Sequence, residues 1–356
     1  MKRHDAVAIA DERAALVDAV LERFFTLSKK RAEPLGDHYL HLWGLLERNT
    51  QGGKRFRPRM VMAAYCGFGG RDLDAAAYVG AAFELLHTAL IVHDDVIDRD
   101  FVRRGIPNIS GAYRDHAVDR GASEDIAEHR GVSAAVIAGD LALFNSYRLL
   151  DRSGADAETR DRLADVLDEA MFASAAGELI DVDFSIDPGM PLVDDILTME
   201  RLKTAVYSFE TPLQAGAILA GASRDAIDTL GAFGREIGIA YQVIDDVLGV
   251  FGEPGATGKT TIGDLREGKR TVLVAFACST PAWARLCDLI GKHDLTEQEA
   301  EEARELLAVC GARAFAENLA RDYAQRALAR LAEPYIPAAL RDELHPVAAE
   351  VLDRVK

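Results

Sequence analysis

Four carboxylates crowd the end of one apolar run. His93-Asp94-Asp95-Val96-Ile97-Asp98-Arg99-Asp100 closes the stretch Ala81–Val92, which reads as a buried helix. Residues four apart share a helix face, so Asp94 and Asp98 point the same way, with Asp95 beside them. Like charges that close repel and raise one another's pKa. A hard divalent cation relieves this, and Mg²⁺ typically takes one or two carboxylates plus substrate phosphate oxygens. A single DDxxD reads equally well as a solvated acidic helix end. However, a second pair, Asp245-Asp246, ends another apolar run, Ile237–Ile244, about 150 residues further on. Two facing acidic helix ends can hold metal ions between them.

Cations at suitable places complement these carboxylates. Gln51-Gly52-Gly53-Lys54-Arg55-Phe56-Arg57-Pro58-Arg59 combines two glycines with four basic residues, and Pro58 suits the first turn of a following helix, about Arg59 to Gly67. Basic side chains and spare amides at a helix start make an anion site, with Arg as a bidentate fork and Lys as a point charge. The alternative is a basic surface loop. His87 lies two turns before Asp94 on the same face, either as a satisfied core histidine or as part of the site. Arg103-Arg104-Gly105 follows the carboxylates and is placed to bind the far side of a phosphate whose near side faces metal.

The elements that must position these groups are helical. Ala, Leu, Glu, Asp and Arg dominate the 356 residues, and β-branched runs are short. Helical spacing predicts helices over Asp11–Lys30, His38–Leu46, Ala75–Val92, Gly131–Leu150, Arg160–Val182, Asp194–Ala220 and Asp225–Gly249. The remainder from Thr271 carries Ala-Leu stripes that read as packing. Ile106 to Arg130 reads as loop with one short helix. Within Arg160–Val182, Gly177-Glu178 and Asp181 add polar groups to an apolar face. Lys203-Thr204 falls in the middle of its stretch, where a kink would expose backbone carbonyls, although the sequence alone shows no kink. Tyr241-Gln242 precedes the second acidic pair by one turn.

The net charge of −17 argues against a nucleic-acid partner. Cys66, Cys278, Cys287 and Cys310 show no metal or disulfide spacing. No signal peptide is expected after Met1-Lys2-Arg3-His4, and no uninterrupted apolar run approaches bilayer length, so a cytoplasmic chain without stable membrane insertion is expected. No linker or repeat divides it, and one domain over 1–356 is expected, a single bundle with a central cavity. The Gly258-Lys259-Thr260 loop falls short of a P-loop, because Glu253 stands where the first glycine belongs.

Taken in order, these motifs resemble the trans-isoprenyl diphosphate synthases (polyprenyl synthetases), most closely the bacterial geranylgeranyl type. The resemblance runs from about Gly52 to Leu273. It rests on Gly52-Gly53-Lys54-Arg55-Phe56-Arg57-Pro58, on Asp94-Asp95-Val96-Ile97-Asp98 with Arg103-Arg104-Gly105, and on Gly131-Val132-Ser133 through Gly139-Asp140. Lys203-Thr204, Tyr241 to Asp246 and Asp264 to Arg270 complete the set. It implies an all-α isoprenoid synthase type I fold, a homodimer, and condensation of isopentenyl diphosphate with an allylic diphosphate. It further implies that Asp94, Asp98 and Asp245 ligate Mg²⁺, with Asp95 and Asp246 in support. Arg103, Lys203 and Lys259 would hold the allylic diphosphate. Lys54, Arg57, His87 and Arg104 would hold isopentenyl diphosphate, and Lys269 joins the substrate-binding set. Thr204 and Gln242 would face the developing carbocation.

Two departures stand out. The second acidic motif ends in Gly249 where the family often has a third Asp, and Lys259 is followed by Thr260-Thr261-Ile262 where many relatives carry Pro and Gly. Product length in the family is set just before the first Asp pair. Ala89 does not block there and Leu90 fills the space only in part, so a product longer than farnesyl, geranylgeranyl diphosphate, is expected, and Ala89→Phe is expected to shorten it. Leu85 and Leu86, one turn deeper, offer a second floor. A class I terpene cyclase shares DDxxD and Mg²⁺ but would lack the isopentenyl site; a non-catalytic subunit of a heteromeric synthase tends to lose aspartates or the basic motif.

Overall fold

The computed structural model describes residues 3–52, 55–252 and 262–353. Lys54 and Lys259, with the rest of the 253–261 loop, lie outside the described residues. The fold is all-α. Among the described residues, the strands are confined to one two-residue hairpin, β1 (Val102–Arg103) and β2 (Ile106–Pro107).

The residues cluster into two compact units, Met1–Leu167 with Pro212–Ala222, and Asp168–Thr211 with Ser223–Lys356. The first unit contains α1 (Arg3–Ala32), α2 (Asp37–Thr50), α3 (Phe56–Gly67), α4 (Leu73–Ile97), α5 (Ile109–Asp119), α6 (Glu124–Asp151) and the start of α7 (Ala157–Ile186). The Asp72 carboxylate caps α4 by accepting from the Ala75 amide at 3.1 Å. The core of this unit holds Phe25, Leu46, Met60, Phe83, Leu86 and Leu149, all almost wholly buried. Phe24, Phe25 and Trp43 pack edge to face, joining α1 to α2.

The second unit contains the rest of α7, then α8 (Val193–Glu200) and a π-helical segment, Arg201–Glu210. The chain passes through α9 (Thr211–Leu219) into α10 (Arg224–Phe251), capped by Ser223. Shorter helices follow: α11 (Gly263–Glu267), α12 (Val272–Cys278) and α13 (Trp283–Leu286). The chain ends in α14 (Glu297–Val309), α15 (Ala312–Leu331) and α16 (Ala338–Asp353). Thr296 and Glu299 form a reciprocal cap at the start of α14. Phe209, Phe233 and Leu273 lie in the core of this unit.

One expectation changes. The helix expected from Gly131 begins seven residues earlier, at Glu124, with acidic residues in its first turn. The one short helix expected between Ile106 and Arg130 is α5, whose start is capped by Asn108 accepting from the Gly111 amide at 2.8 Å. No uninterrupted apolar run reaches bilayer length, because Glu84 and His87 divide that of α4. By length and composition α4 could still cross a membrane, because Glu84 and His87 interrupt its apolar residues without lowering their share enough. In the fold 78% of that window is buried, as a core helix requires.

Candidate active site

In the first unit, α4 delivers its aspartates at its C-terminal end. Asp94 is half-buried, Asp98 is exposed, and Asp95 is 3% exposed. Successive helix residues diverge by roughly a quarter turn, so one aspartate of the pair faces out while its neighbour turns into the protein. Arg103 spans them, its Nε donating to Asp95 at 2.7 Å and its Nη2 to Asp94 at 3.1 Å. Burial pushes the Asp95 carboxyl above its usual range even against this guanidinium, and the two carboxylates raise Arg103 in turn although desolvation opposes it.

The hairpin β1–β2 aims Arg103. Its two-residue turn, Arg104-Gly105, has positive φ at both positions, 54° and 75°, as the tightest hairpin turns require. Asn108 braces the connection by donating to the Asp100 carbonyl at 2.8 Å, and Arg48 of α2 donates to the Pro107 carbonyl at 3.0 Å. The Arg104 guanidinium lies 3.5 Å from where a Cβ on Gly52 would stand. The hairpin therefore reaches the glycine that opens the basic stretch.

That basic stretch divides its work. Arg55, at φ 50° before α3, is bound inward: to the Thr50 carbonyl at 2.8 Å, Glu84 at 2.9 Å and Asp18 at 2.7 Å. It ties α1, α2 and α4 together. Neither Glu84 nor Asp18 was visible as its partner in sequence, since 29 and 37 residues separate them from it. His87 is held neutral: desolvation first, then the fields of Arg57, Arg103, Arg104 and Arg55, keep its pKa well below 6.5. One imidazole thus senses guanidinium groups from both basic motifs. His93, one residue before Asp94, meets Asp140 of α6 at 3.4 Å.

The second unit holds the other half of the candidate residues. Lys203 and Thr204 lie in the π-helical segment, a widened turn often found at functional sites. Glycines on the neighbouring helices make room for it. A Cβ on Gly177 of α7 would fall 2.2 Å from the Lys203 amide nitrogen, and one on Gly238 of α10 would fall 2.6 Å from the Ala205 Cβ. Lys203 Nζ reaches Asp181 at 2.6 Å and Glu178 at 3.0 Å, so the two acids of α7 that read as core polar groups anchor this lysine.

On α10, Asp245 is exposed and Asp246 buried. Gln242, one turn earlier, donates to Asp246 at 3.1 Å. Burial, opposed by Lys269 but reinforced by Asp264 and Asp245, pushes Asp246 up to about 7. Glu200, 2% exposed at the end of α8, is raised well above its usual range by burial and by Asp246 and Asp181. Sequence reading missed it because it sits in an ordinary helical pattern. Lys269, 3.7 Å from Asp264, is raised by Asp264, Asp246, Glu267 and Asp181, although desolvation opposes it.

Among the described residues, no three carboxylate, imidazole or thiolate groups form a ready-made metal site. The donors do fit a hard cation. All are oxygens, Asp94 and Asp98 are one turn apart, and the crowding that lifts Asp246 is what a divalent ion would relieve.

The polyprenyl synthetase family profile matches residues 41–307. The chain belongs to the polyprenyl synthetase family. It is 33% identical over 346 residues to a geranylfarnesyl diphosphate synthase of Aeropyrum pernix, covering 96% of this chain and 100% of that one. To a geranylgeranyl diphosphate synthase of Methanosarcina mazei it is 28% identical, over 90% and 89%. The solved geranylgeranyl pyrophosphate synthase of Corynebacterium glutamicum, complexed with isoprenyl diphosphate and magnesium, superposes with a TM-score of 0.88 at 30% identity, over 96% and 98%. A polyprenyl synthetase is a prenyltransferase, and the all-α isoprenoid synthase fold expected from the sequence is the one these relatives share.

Proposed function

We propose that this polyprenyl synthetase condenses isopentenyl diphosphate with a dimethylallyl, geranyl or farnesyl diphosphate, with Mg²⁺ as cofactor, and that geranylgeranyl diphosphate is its main product. The arrangement that carries this reading is His87 of α4, whose pKa is lowered by burial and by the fields of Arg57, Arg103 and Arg104 from the two basic motifs. That many cations beside an acidic helix end suit a second diphosphate, which a terpene cyclase does not need.

Each residue acts on charge or position. Asp94, Asp98 and Asp245 would hold the cations, and bound Mg²⁺ would neutralise the charge that develops on the departing diphosphate. Arg103, carried by Asp94 and Asp95, and Lys203, carried by Asp181 and Glu178, are held before substrate arrives, so little reorganisation is needed during reaction. The acids keep each cation in place and leave its remaining N–H groups for phosphate oxygens. Arg57, His87 and Arg104, with Lys54, would orient isopentenyl diphosphate; a neutral imidazole can donate one hydrogen bond and accept another. Gln242 and Thr204 place an amide and a hydroxyl near the allylic carbon, dipoles that stabilise positive charge without attacking it. The allylic carbon–oxygen bond breaks, the new carbon–carbon bond forms, and a proton leaves with diphosphate.

Product length follows from α4. Ala89 and Leu86 are fully buried, whereas Leu90 is half-buried one turn below Asp94 on the same face. None is aromatic, which supports a product beyond farnesyl. Exposed Ile126, Ile137 and Phe144 form a stripe along α6. We assign this stripe to a second copy of the chain, giving a homodimer. Phe144→Glu should weaken the dimer about 100-fold or more, as for an interface anchor, measured by sedimentation equilibrium.

Purified protein with Mg²⁺, isopentenyl diphosphate and each allylic starter tests the reaction by mass spectrometry of extracted products. A prenyl diphosphate longer than its starter is expected, with twenty-carbon geranylgeranyl diphosphate predominant. Cyclic hydrocarbon from starter alone would mean a cyclase. Turnover only with an added partner would mean a non-catalytic subunit. A cytoplasmic site of action accords with the absence, among the described residues, of an exposed membrane-length apolar helix.

A further inference from the structure

Away from the acidic helix ends, the first unit has a cavity of about 490 Å³ where the last turns of α1 and α6 meet. This is the size of small-molecule pockets in general. Phe24, Leu27 and Leu149 give it an apolar wall. Around them stand four cations, Lys30 and Arg31 from α1, Arg148 from α6 and Arg152 just after it. On a chain of net charge −17, four cations gathered at one pocket make a local positive field that favours an anion. The neighbouring acids do not supply one. Glu47 pairs with Lys29 at 2.6 Å, and Asp151 with Arg160 at 3.5 Å. Among the described residues none of the four cations makes an ion pair.

A second observation points into the same space. Ser28 lines the cavity, and its hydroxyl, which makes no hydrogen bond among the described residues, opens into it. Asn145, 5% exposed, also lines the cavity and spends its amide on the Leu141 carbonyl at 2.7 Å. The pocket is therefore apolar on one side, cationic at its rim, and has an open hydrogen-bonding group in its floor. It is separate from the acidic end of α4: Asp140 of α6 meets His93 there, and Arg148 lies eight residues further along, about 12 Å by helix rise.

We infer that this pocket binds one long-chain prenyl diphosphate outside the reacting residues. The diphosphate would lie among Lys30, Arg31, Arg148 and Arg152, and the first isoprene units against Phe24, Leu27 and Leu149. Charge favours a diphosphate over a lipid headgroup, because four cations exceed what a singly charged phosphodiester balances. Concavity favours a single molecule over a flat membrane. The choice of ligand rests on the synthase reading above, and the existence of the pocket does not.

The test counts binding equivalents on the full chain with Mg²⁺ and no isopentenyl diphosphate, by calorimetric titration with geranylgeranyl diphosphate below its micelle concentration. Two equivalents per chain are expected. Arg148→Glu/Arg152→Glu should lose one, with initial turnover unchanged; Asp94→Asn/Asp98→Asn should lose the other. Should the charge-reversed protein misfold, Ser28→Phe fills the pocket without changing charge and should lose the same equivalent. One equivalent in the wild type, or two in the pocket variants, overturns the inference. So does full competition by inorganic diphosphate, which would make this a bare anion site. Arg148- and Arg152-dependent binding to phosphatidylglycerol vesicles with only one prenyl diphosphate bound would reassign it to a lipid surface. A lower Tm with both equivalents kept would reduce the cations to counter-charges for two helix ends. A chain that makes no product yet loses an equivalent in the pocket variants would sink the synthase reading and leave the pocket standing.

Discussion

The two acidic helix ends share a sequence and differ in electrostatics. At both, the first aspartate is accessible and the second is buried, as adjacent positions on a helix dictate. On α4 the buried one, Asp95, meets a guanidinium at 2.7 Å. On α10 the buried one, Asp246, has the Gln242 amide at 3.1 Å and the more distant charge of Lys269, with Glu200, Asp245 and Asp264 against it. Burial raises the buried carboxyl at both ends; on α4 Arg103 opposes the rise, and on α10 neighbouring acids add to it. The lesson is that a paired-aspartate motif does not specify its own charge state. The hairpin bearing Arg103 sets it on one side, and the crowd of acids sets it on the other.

Removing the compensation should have the largest effect. Arg103→Met leaves Asp95 buried without its partner, and should cost about 2–3 kcal/mol of stability, at or below the low end of the range for broken buried pairs because Arg103 keeps some solvent access. It should also lower kcat/KM by about 10²–10³-fold, the scale of losing one preorganised charge-stabilising donor. Denaturant midpoints and steady-state kinetics measure the two. Equal losses from Lys269→Met would erase the contrast between the two ends.

Opposite behaviour is expected where protons are held. Glu200 and Asp246 have folded-state pKa values above their ordinary ones. Their contribution is therefore full below the unfolded carboxyl range and is lost as pH rises toward the folded values. Metal-free protein should lose thermal stability between pH 5 and 8, about the interval from ordinary carboxyl pKa values to beyond that of Asp246. Glu200→Gln keeps the shape and removes one ionisation, so it should gain about 1–2 kcal/mol at pH 8 and flatten the profile. Thermal melts across pH check both, and a wild-type profile as flat as the variant's would refute the account.

Much of this was legible in the chain. The apolar runs ending in Asp94-Asp95 and Asp245-Asp246 gave α4 and α10, because helical periodicity and burial are local signals. What stayed hidden was non-local. Arg55 reads as one of four basic residues of a possible anion site, yet Glu84 and Asp18 claim it. The π-helical turn around Lys203 depends on Gly177 and Gly238, which belong to other helices. The start of α6 was misplaced because Gly131 looked like a boundary, while Ser123 with Glu124 and Asp125 carried the helix-start signal. Glu200 reveals its role only through burial against Asp246.

The smallest expected effect probes the motif's one missing acid. A Cβ on Gly249 would lie 2.0 Å from the Asp264 carboxylate oxygen, so Asp264 occupies the space a third aspartate would enter. Asp264 is a side-chain end and can rotate away, so Gly249→Asp should change stability by less than about 1 kcal/mol, the range of an overlap relieved by rotamer change. The displaced carboxylate should leave Lys269, whose pKa is raised chiefly by Asp264 among the charges near it. Nitrogen-detected NMR titration of Lys269 should then show a lower pKa in Gly249→Asp than in wild type. An unchanged Lys269 would mean that the two carboxylates can share the site, and that the glycine is not what keeps Asp264 in place.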